Sequence, residues 1–466
     1  MSHRSASLLG VIALAGLGIA GCAPAGAGMD PDPEPNTAEQ APDPEPSSHA
    51  QTPDPEPSAT EQPPAAEETV APPPADPLFL GDDLEKVLLP DDVVHELFPG
   101  VLDIEATTNL SATVGESEGQ IGYPTKCMPL NWDDWTLTVG WRGSRWLAGG
   151  EIYGSQRAMQ FPNAEKAQES LDWYRAALEG CDSFTPREDI TDIVYSWSLD
   201  AHVERGPVEV FVGTMDSAGG YEGETSSVLV LAVVGNAVLR VGTDPDRGAD
   251  EVADGVADAL EASIDSLDPA FEWGTDDARP GVQAPISDWI ADAGGIGPIR
   301  IGDSIEEVRA AVDWMDEPIE GDTYFVTGGA DEYWRQDIDG GTINITMNDG
   351  AVRVVEVGAD YDYEDPHPDG GGLPSIAGVR IGDPAQAAAD AFPAGTVLYQ
   401  IAPGIEQYSV ADVAGRVITF AAPGMVDRDD LSGGYDLAAG VITSIQVEDA
   451  TGRTSMYETF INAMES

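Results

Sequence analysis

Positive charge is what this chain of 466 residues has least of: 21 Lys+Arg stand against 84 Asp+Glu, for a formal net charge of −63. The lysines are only Lys86, Lys126 and Lys166. A surface that negative repels phosphate backbones and anionic lipid headgroups, which argues against binding to nucleic acid or to a bare anionic membrane. Cysteine is nearly as scarce. Neither Cys127 nor Cys181 has a second cysteine or a histidine at zinc-ligand spacing. A Gly-rich phosphate loop and a His-Arg-Asp triplet are both missing, so the chain carries no kinase part. Apart from Leu8 to Ala20 there is no long hydrophobic run, and that stretch falls short of the roughly 20 apolar residues a spanning helix needs.

What the N-terminus does have is a secretory pattern. Arg4 precedes the Leu8–Ala20 apolar stretch, and Ile19-Ala20-Gly21-Cys22 closes it. The last four residues resemble the lipobox of bacterial lipoproteins, in which two small residues let a peptidase close on the backbone before the cysteine. The resemblance implies a signal peptide over residues 1–21 and a diacylglycerol on the Cys22 thiol. Stable anchoring would take two or more acyl chains there. The expected location is the outer face of the plasma membrane, on the cell-wall side. In that oxidising compartment Cys127 and Cys181 are expected to pair, with two buried free thiols as the alternative.

Residues 22–77 form the lipidated Cys22 and a Pro- and acid-rich tether. Pro-Asp-Pro-Glu-Pro occurs at Pro31, Pro42 and Pro53, and from 23 to 77 there is no lysine, arginine or aromatic residue. Such a segment cannot bury a core. Its prolines favour extended backbone, with a ceiling of roughly 170 Å at ~3.1 Å per residue. It reads as a spacer that holds the globular part of the chain clear of the membrane.

The remaining length exceeds what one core usually supports, and two domains are expected, 78–270 and 286–466, joined by a linker over 271–285. The overall class is α+β. In the first domain Pro90-Asp91-Asp92 opens a short helix. Asn163 caps a longer one, with Ala167, Leu171, Tyr174 and Leu178 on one face and Gly180 as the stop. Val228–Val234 and Ala237–Val241 flank a Gly235-Asn236 turn, a hairpin signal. A last helix puts Val252, Val256, Leu260, Ile264 and Leu267 in one stripe. The expected architecture is an antiparallel sheet with helices packed on one face. The order Leu88-Leu89-Pro90, Cys127, Met159-Gln160-Phe161, the helix with Trp173 running into Cys181, and the hairpin at Val234–Val238 resembles the extracellular sensor domain of PknH-type kinases. The resemblance implies a cleft for an unidentified ligand and no catalytic role. Relatives often have two cysteine pairs where this chain has one.

In the second domain Gly297-Pro298-Ile299-Arg300-Ile301-Gly302-Asp303 recurs 80 residues on as Ala377-Gly378-Val379-Arg380-Ile381-Gly382-Asp383. Two tandem helix-plus-antiparallel-sheet repeats are therefore expected, over 286–370 and 371–466. Asp303 or Ser304 caps the first helix, and Asn348-Asp349-Gly350 turns a hairpin between Thr342–Met347 and Val352–Val357. Arg416–Ala421 and Val441–Val447 are the expected equivalents. The Ile-Gly-Asp step into a helix resembles the repeated unit of β-lactamase inhibitor proteins, which would imply a protein-binding sheet face.

Four constellations bear on chemistry. Gly115-Glu116-Ser117-Glu118-Gly119 matches a hydrolase pattern, but Ser117 lacks a convincing strand before it and a helix after it, so an acidic loop is the better account. Asp360, Asp362 and Glu364 concentrate oxygen ligands between the repeats without EF-hand spacing, and a solvated loop is favoured over a cation site. Trp132, Trp135, Trp141 and Trp146 crowd into fifteen residues; core packing is favoured, with a ligand cleft as the alternative. Paired carboxylates are uninformative among so many acids. No cofactor is called for. The expected function is non-catalytic binding or sensing of a small ligand or surface partner. An inhibitor-like protein-binding module and a secreted serine hydrolase are the competing readings.

Overall fold

The computed structural model describes residues 76–107, 124–131, 133–134, 136–185, 193–219, 225–244, 247–267, 285–312, 332–359, 370, 372–400, 405–426 and 435–458. Cys22 and most of its tether, Ser117, Trp132, Trp135, Asp360, Asp362, Glu364 and nearly all of the 271–285 linker lie outside them.

From the N-terminal side, the first half carries α1 (Asp91–Leu97), β1 (Asp103–Thr107), α2 (Met128–Asn131), β2 (Gly140–Ala148), β3 (Glu151–Gln160) and α3 (Ala164–Gly180). It continues with β4 (Ser183–Phe184), β5 (Ile193–Arg205), β6 (Val208–Gly219), β7 (Thr225–Val234), β8 (Ala237–Thr243) and α4 (Ala249–Ile264). The strands form one antiparallel sheet in the order β1-β2-β3-β8-β7-β6-β5-β4.

Helices cover both faces of this sheet, where the sequence pattern places them on one. The cause is visible in β7, whose run Val228–Val234 is apolar without alternation. Successive side chains leave a strand on opposite faces, so an unbroken run needs cover on both. Val230, Ala232 and Val234 meet α1 and α4, while Leu229, Leu231 and Val233 meet α3. α3 begins where the Asn163 side chain accepts from Lys166 N at 2.9 Å, and it buries Ala167, Leu171, Tyr174 and Leu178 as their spacing predicts. Gly180 is not its stop: the helix includes it and ends at extended Cys181. Cys181 is bonded to Cys127, with Cα atoms 5.6 Å apart.

The second half holds a small sheet of β9 (Ile290–Asp292), β10 (Gly295–Ile296), β11 (Ile299–Arg300) and β15 (Ser375–Ile376). Its larger sheet has seven strands: β12 (Glu332–Ile338), β13 (Gly341–Asn348), β14 (Ala351–Ala359), β16 (Thr396–Gln400), β17 (Ile405–Ala411), β18 (Arg416–Ala421) and β19 (Ser444–Asp449). They lie in the order β12-β13-β14-β19-β18-β17-β16. α5 (Ile305–Ala311) and α6 (Ala385–Ala391) pack with the small sheet against one face, around Ile343, Val355, Phe420 and Ile445. Ser304 caps α5 in a full capping box with Glu307, while Pro384 opens α6 without a side-chain cap. The β13–β14 turn uses Asp349 and Gly350, both at positive φ, as a two-residue hairpin turn requires.

The two halves of this sheet share the hydrogen bonds at the step into each helix. Asp303 Oδ2 accepts from Arg300 N at 3.0 Å, and Asp383 Oδ2 from Arg380 N at 2.8 Å. Gly302 N donates to Val352 O and Gly382 N to Ile442 O, both at 2.8 Å. The helix steps are 80 residues apart and the strands they meet 90 apart, so the second copy is longer by ten residues. Accordingly β19 starts at Ser444, and Val441, expected to open that strand, makes an isolated bridge to Pro384. β14 and β19 pair antiparallel with Val355 opposite Val447 and Val357 opposite Ile445. A twofold axis therefore runs through the Glu356–Gln446 pair, and it joins the copies into one sheet.

The described residues of the two halves pack into one compact unit. Val139 clusters with Ala411, Val417 and Ala450, and Arg453 donates to Thr136 O and Thr138 O while pairing with Glu448 at 2.7 Å. Among the described residues no helix is long and apolar enough to cross a membrane.

Candidate functional site

A cleft of about 840 Å³ opens between the two halves. One wall comes from the chain before β1, from Ser144 and Gln156 on the sheet, and from Ala259 and Ala262 on α4. The other comes from Ala389 on α6, Pro393, Tyr408 on β17, Tyr435 and Leu437.

Its polar groups are engaged in holding these walls. The Gln156 side chain clamps Leu89, accepting from Leu89 N at 2.7 Å and donating to Leu89 O at 3.0 Å. Lys86 Nζ donates to Ser266 O at 2.6 Å and pairs with Asp83 at 2.5 Å, which ties the first turn of the wall to the end of α4. Arg142 lies 3.6 Å from Glu85 and reaches Gly395 O across the cleft at 3.4 Å. Gly395 N donates to the Tyr408 hydroxyl at 3.0 Å, which donates to Phe392 O at 2.5 Å. Burial pushes the Tyr408 phenol up to about 12, so it is a neutral donor at physiological pH. The result is a concavity lined by apolar residues such as Leu88, Leu89, Ile104 and Leu437 beside the charged Asp82, Glu85, Lys86 and Arg142. That is the common form of a small-molecule site.

A second concentration of polar groups lies on the other face of the first sheet. Asp133 is buried between Arg157 (Nε–Oδ2 3.0 Å) and Arg240 (Nη1–Oδ1 2.8 Å), and Tyr174 donates to it at 3.3 Å. Burial works against the Arg240 charge, but Asp133 outweighs it and holds the guanidinium above the ordinary arginine range. Next to it Asp134, fully buried, accepts from Thr136 at 2.8 Å, from Met456 N at 3.2 Å and from Ser455. The Tyr457 hydroxyl donates to that of Tyr174 at 3.3 Å. The last described turn of the second half is thus pinned to the first by charge and hydrogen bonds.

The tryptophans divide. Trp141 and Trp146 are both buried but on opposite faces of the first sheet, Trp141 with α3 and the disulfide, Trp146 against Phe98 with ring centroids 5.1 Å apart. They share no cleft, and neither lines the one between the halves. Cys127 and Cys181, by contrast, come together. Among the described residues no group of His, Cys, Asp and Glu is placed to hold a metal ion. The cleft residues, Asp133, Arg157 and Arg240 do not stand out in the sequence. Their one signal there is an arginine facing inward on each of two strands of an acid-rich chain.

No protein-family model and no curated relative matches the chain. Two solved structures are similar at a distance. The extracellular domain of PknH from Mycobacterium tuberculosis is 14% identical, with a TM-score of 0.30, over 42% of this chain and 100% of that one. An uncharacterized protein from Mycobacterium smegmatis is 11% identical, with a TM-score of 0.25, over 40% and 97%.

Proposed function

We propose that the chain is a lipoprotein held at the outer face of the plasma membrane by acyl chains on Cys22, and that it binds an amphipathic small molecule in the cleft between its halves without transforming it. The observation that carries the reading is the cleft itself. Its volume, about 840 Å³, lies within the range of small-molecule sites, and Arg142 joins its two walls through the bond to Gly395 O. The lipobox and the acidic tether support the location: a spacer of this length sets the cleft where envelope lipids and wall fragments pass. The role in sensing follows from position. A ligand that bridges the walls changes the surface presented at the cleft mouth, and a partner can read the occupied cleft.

The test is thermal denaturation of the full chain against muropeptides, phospholipids and lipoglycans. At a concentration a hundredfold above its Kd a ligand adds about 2.7 kcal/mol. One such compound is expected to raise the midpoint saturably. Ala262→Trp, which places a bulky ring on an exposed position of the α4 wall, is expected to remove the effect. A full panel without any saturable shift would overturn the small-molecule reading and leave the protein-binding one.

A further inference from the structure

The cations that line the cleft between the halves are already engaged, while its carboxylates are not all matched. Lys86 is held by Asp83 and by Ser266 O. Arg142 donates to Trp141 O at 3.1 Å and to Gly395 O at 3.4 Å. Its guanidinium stands between two acids, Glu85 at 3.6 Å and Asp82 at 3.8 Å, which meet no other base among the described residues. One guanidinium shared by two carboxylates leaves that trio with a net negative charge. Asp91, in the first turn of α1 on the same wall, has no hydrogen-bond or ion-pair partner among the described residues. The other donors are spent as well. Gln156 Nε2 and the hydroxyls of Ser263, Ser266 and Tyr408 all donate to backbone carbonyls. What the cleft keeps for a ligand, beside its apolar walls, is chiefly carboxylate oxygen.

We propose that the ligand of this cleft is an amphiphile with a protonated amine at its head, and that Asp82 and Asp91 select it. The inference rests on the cleft being the binding site. An ammonium group brings three donors and no acceptor, the complement of what the cleft offers. A phosphate or carboxylate head brings acceptors alone and meets like charge beside low-dielectric walls, which focus the field. An uncharged polyol can donate to the same oxygens but gains no Coulomb attraction. The whole molecule, at a formal net charge of −63, draws cations toward the mouth and repels anions. Asp82 and Asp91 are exposed, so each ion pair contributes modestly. Leu88, Leu89, Ile104 and Leu437 supply the apolar contact, and the acids supply the choice between heads.

The experiment is calorimetric titration of the full chain with octylammonium chloride, octyl β-glucoside and sodium octanoate, three heads on one tail, each below its micelle concentration at neutral pH. Octylammonium is expected to bind saturably and about fivefold more tightly than the glucoside, the scale of one or two exposed ion pairs, with octanoate weakest. Added sodium chloride is expected to narrow the gap. The double variant Asp82→Asn, Asp91→Asn is expected to bring octylammonium down to the glucoside level while glucoside affinity and the melting midpoint stay close to the parent's. Ala262→Trp is expected to remove saturable binding of both. Glucoside or octanoate bound as tightly as octylammonium, and lost in Ala262→Trp, would overturn the amine proposal and leave the cleft reading standing. Octylammonium binding that survives Ala262→Trp or the double substitution would mark a surface counterion only and overturn it too. Saturable binding of none of the three would overturn the proposal and count against the cleft itself.

Discussion

Asp134 accepts hydrogen bonds from Thr136, Ser455 and Met456 N in a fully buried setting, and burial lifts its carboxyl from an ordinary value near 3.8 to about 6. Below about pH 4 the group is protonated in folded and unfolded chains alike. Between about 4 and 6 only the folded chain keeps the proton, so stability falls as pH rises through that window, by about 3 kcal/mol, and stays at the lower level above it. Asp134→Asn keeps an acceptor and removes the charge. Denaturation of both proteins at pH 4 and pH 7.5, at matched ionic strength, is expected to show the difference between them shifting toward the variant by about 2–3 kcal/mol. Parallel pH profiles would contradict the burial argument. Nothing in the sequence marks Asp134 or Asp133, because an acid among 84 carries no signal; only the fold shows which ones are dry. Cys127 and Cys181 are legible for the opposite reason. They are scarce, and an oxidising compartment gives two lone cysteines one thing to do.

The elements that the sequence announces are those with long periods or strong turns. α3 and α4 follow their apolar stripes, and the hairpins close at Gly235-Asn236 and Asp349-Gly350. The small sheet leaves no such trace because its strands are two or three residues long, too short for alternation to register. The two-sided cover of the first sheet is written in β7, whose unbroken apolar run is the mark of a strand buried on both faces. At this scale the disulfide matters most. It ties the segment before α2 to the end of α3 across a separation of 54 residues. Closing a loop of that length contributes about 4 kcal/mol in the chain-entropy account. Urea unfolding with and without reductant is expected to show a loss of that order with the slope little changed. A loss below about 1 kcal/mol would mean that the packing of Leu130, Tyr174 and Phe184 holds the α3 face without the bond.

At the scale of the molecule, the sequence repeat points to two similar units, but not to how they join. Their union through β14 and β19, about an axis at Glu356 and Gln446, depends on pairings between strands far apart in the chain, which local patterns do not encode. The cleft is equally hidden. It is made by residues from both halves, and it exists because Arg453, Asp134 and the cluster around Val139 lock those halves together. A strongly negative exterior keeps such a chain dispersed by mutual repulsion. The most direct test is native mass spectrometry of the full chain gently extracted from the cells that make it, beside the Ala262→Trp variant. The account predicts the same lipid-modified N-terminal mass in both, and a releasable small molecule of defined mass on the parent alone. An unmodified Cys22, or a parent and variant that carry the same bound mass or none, would contradict it.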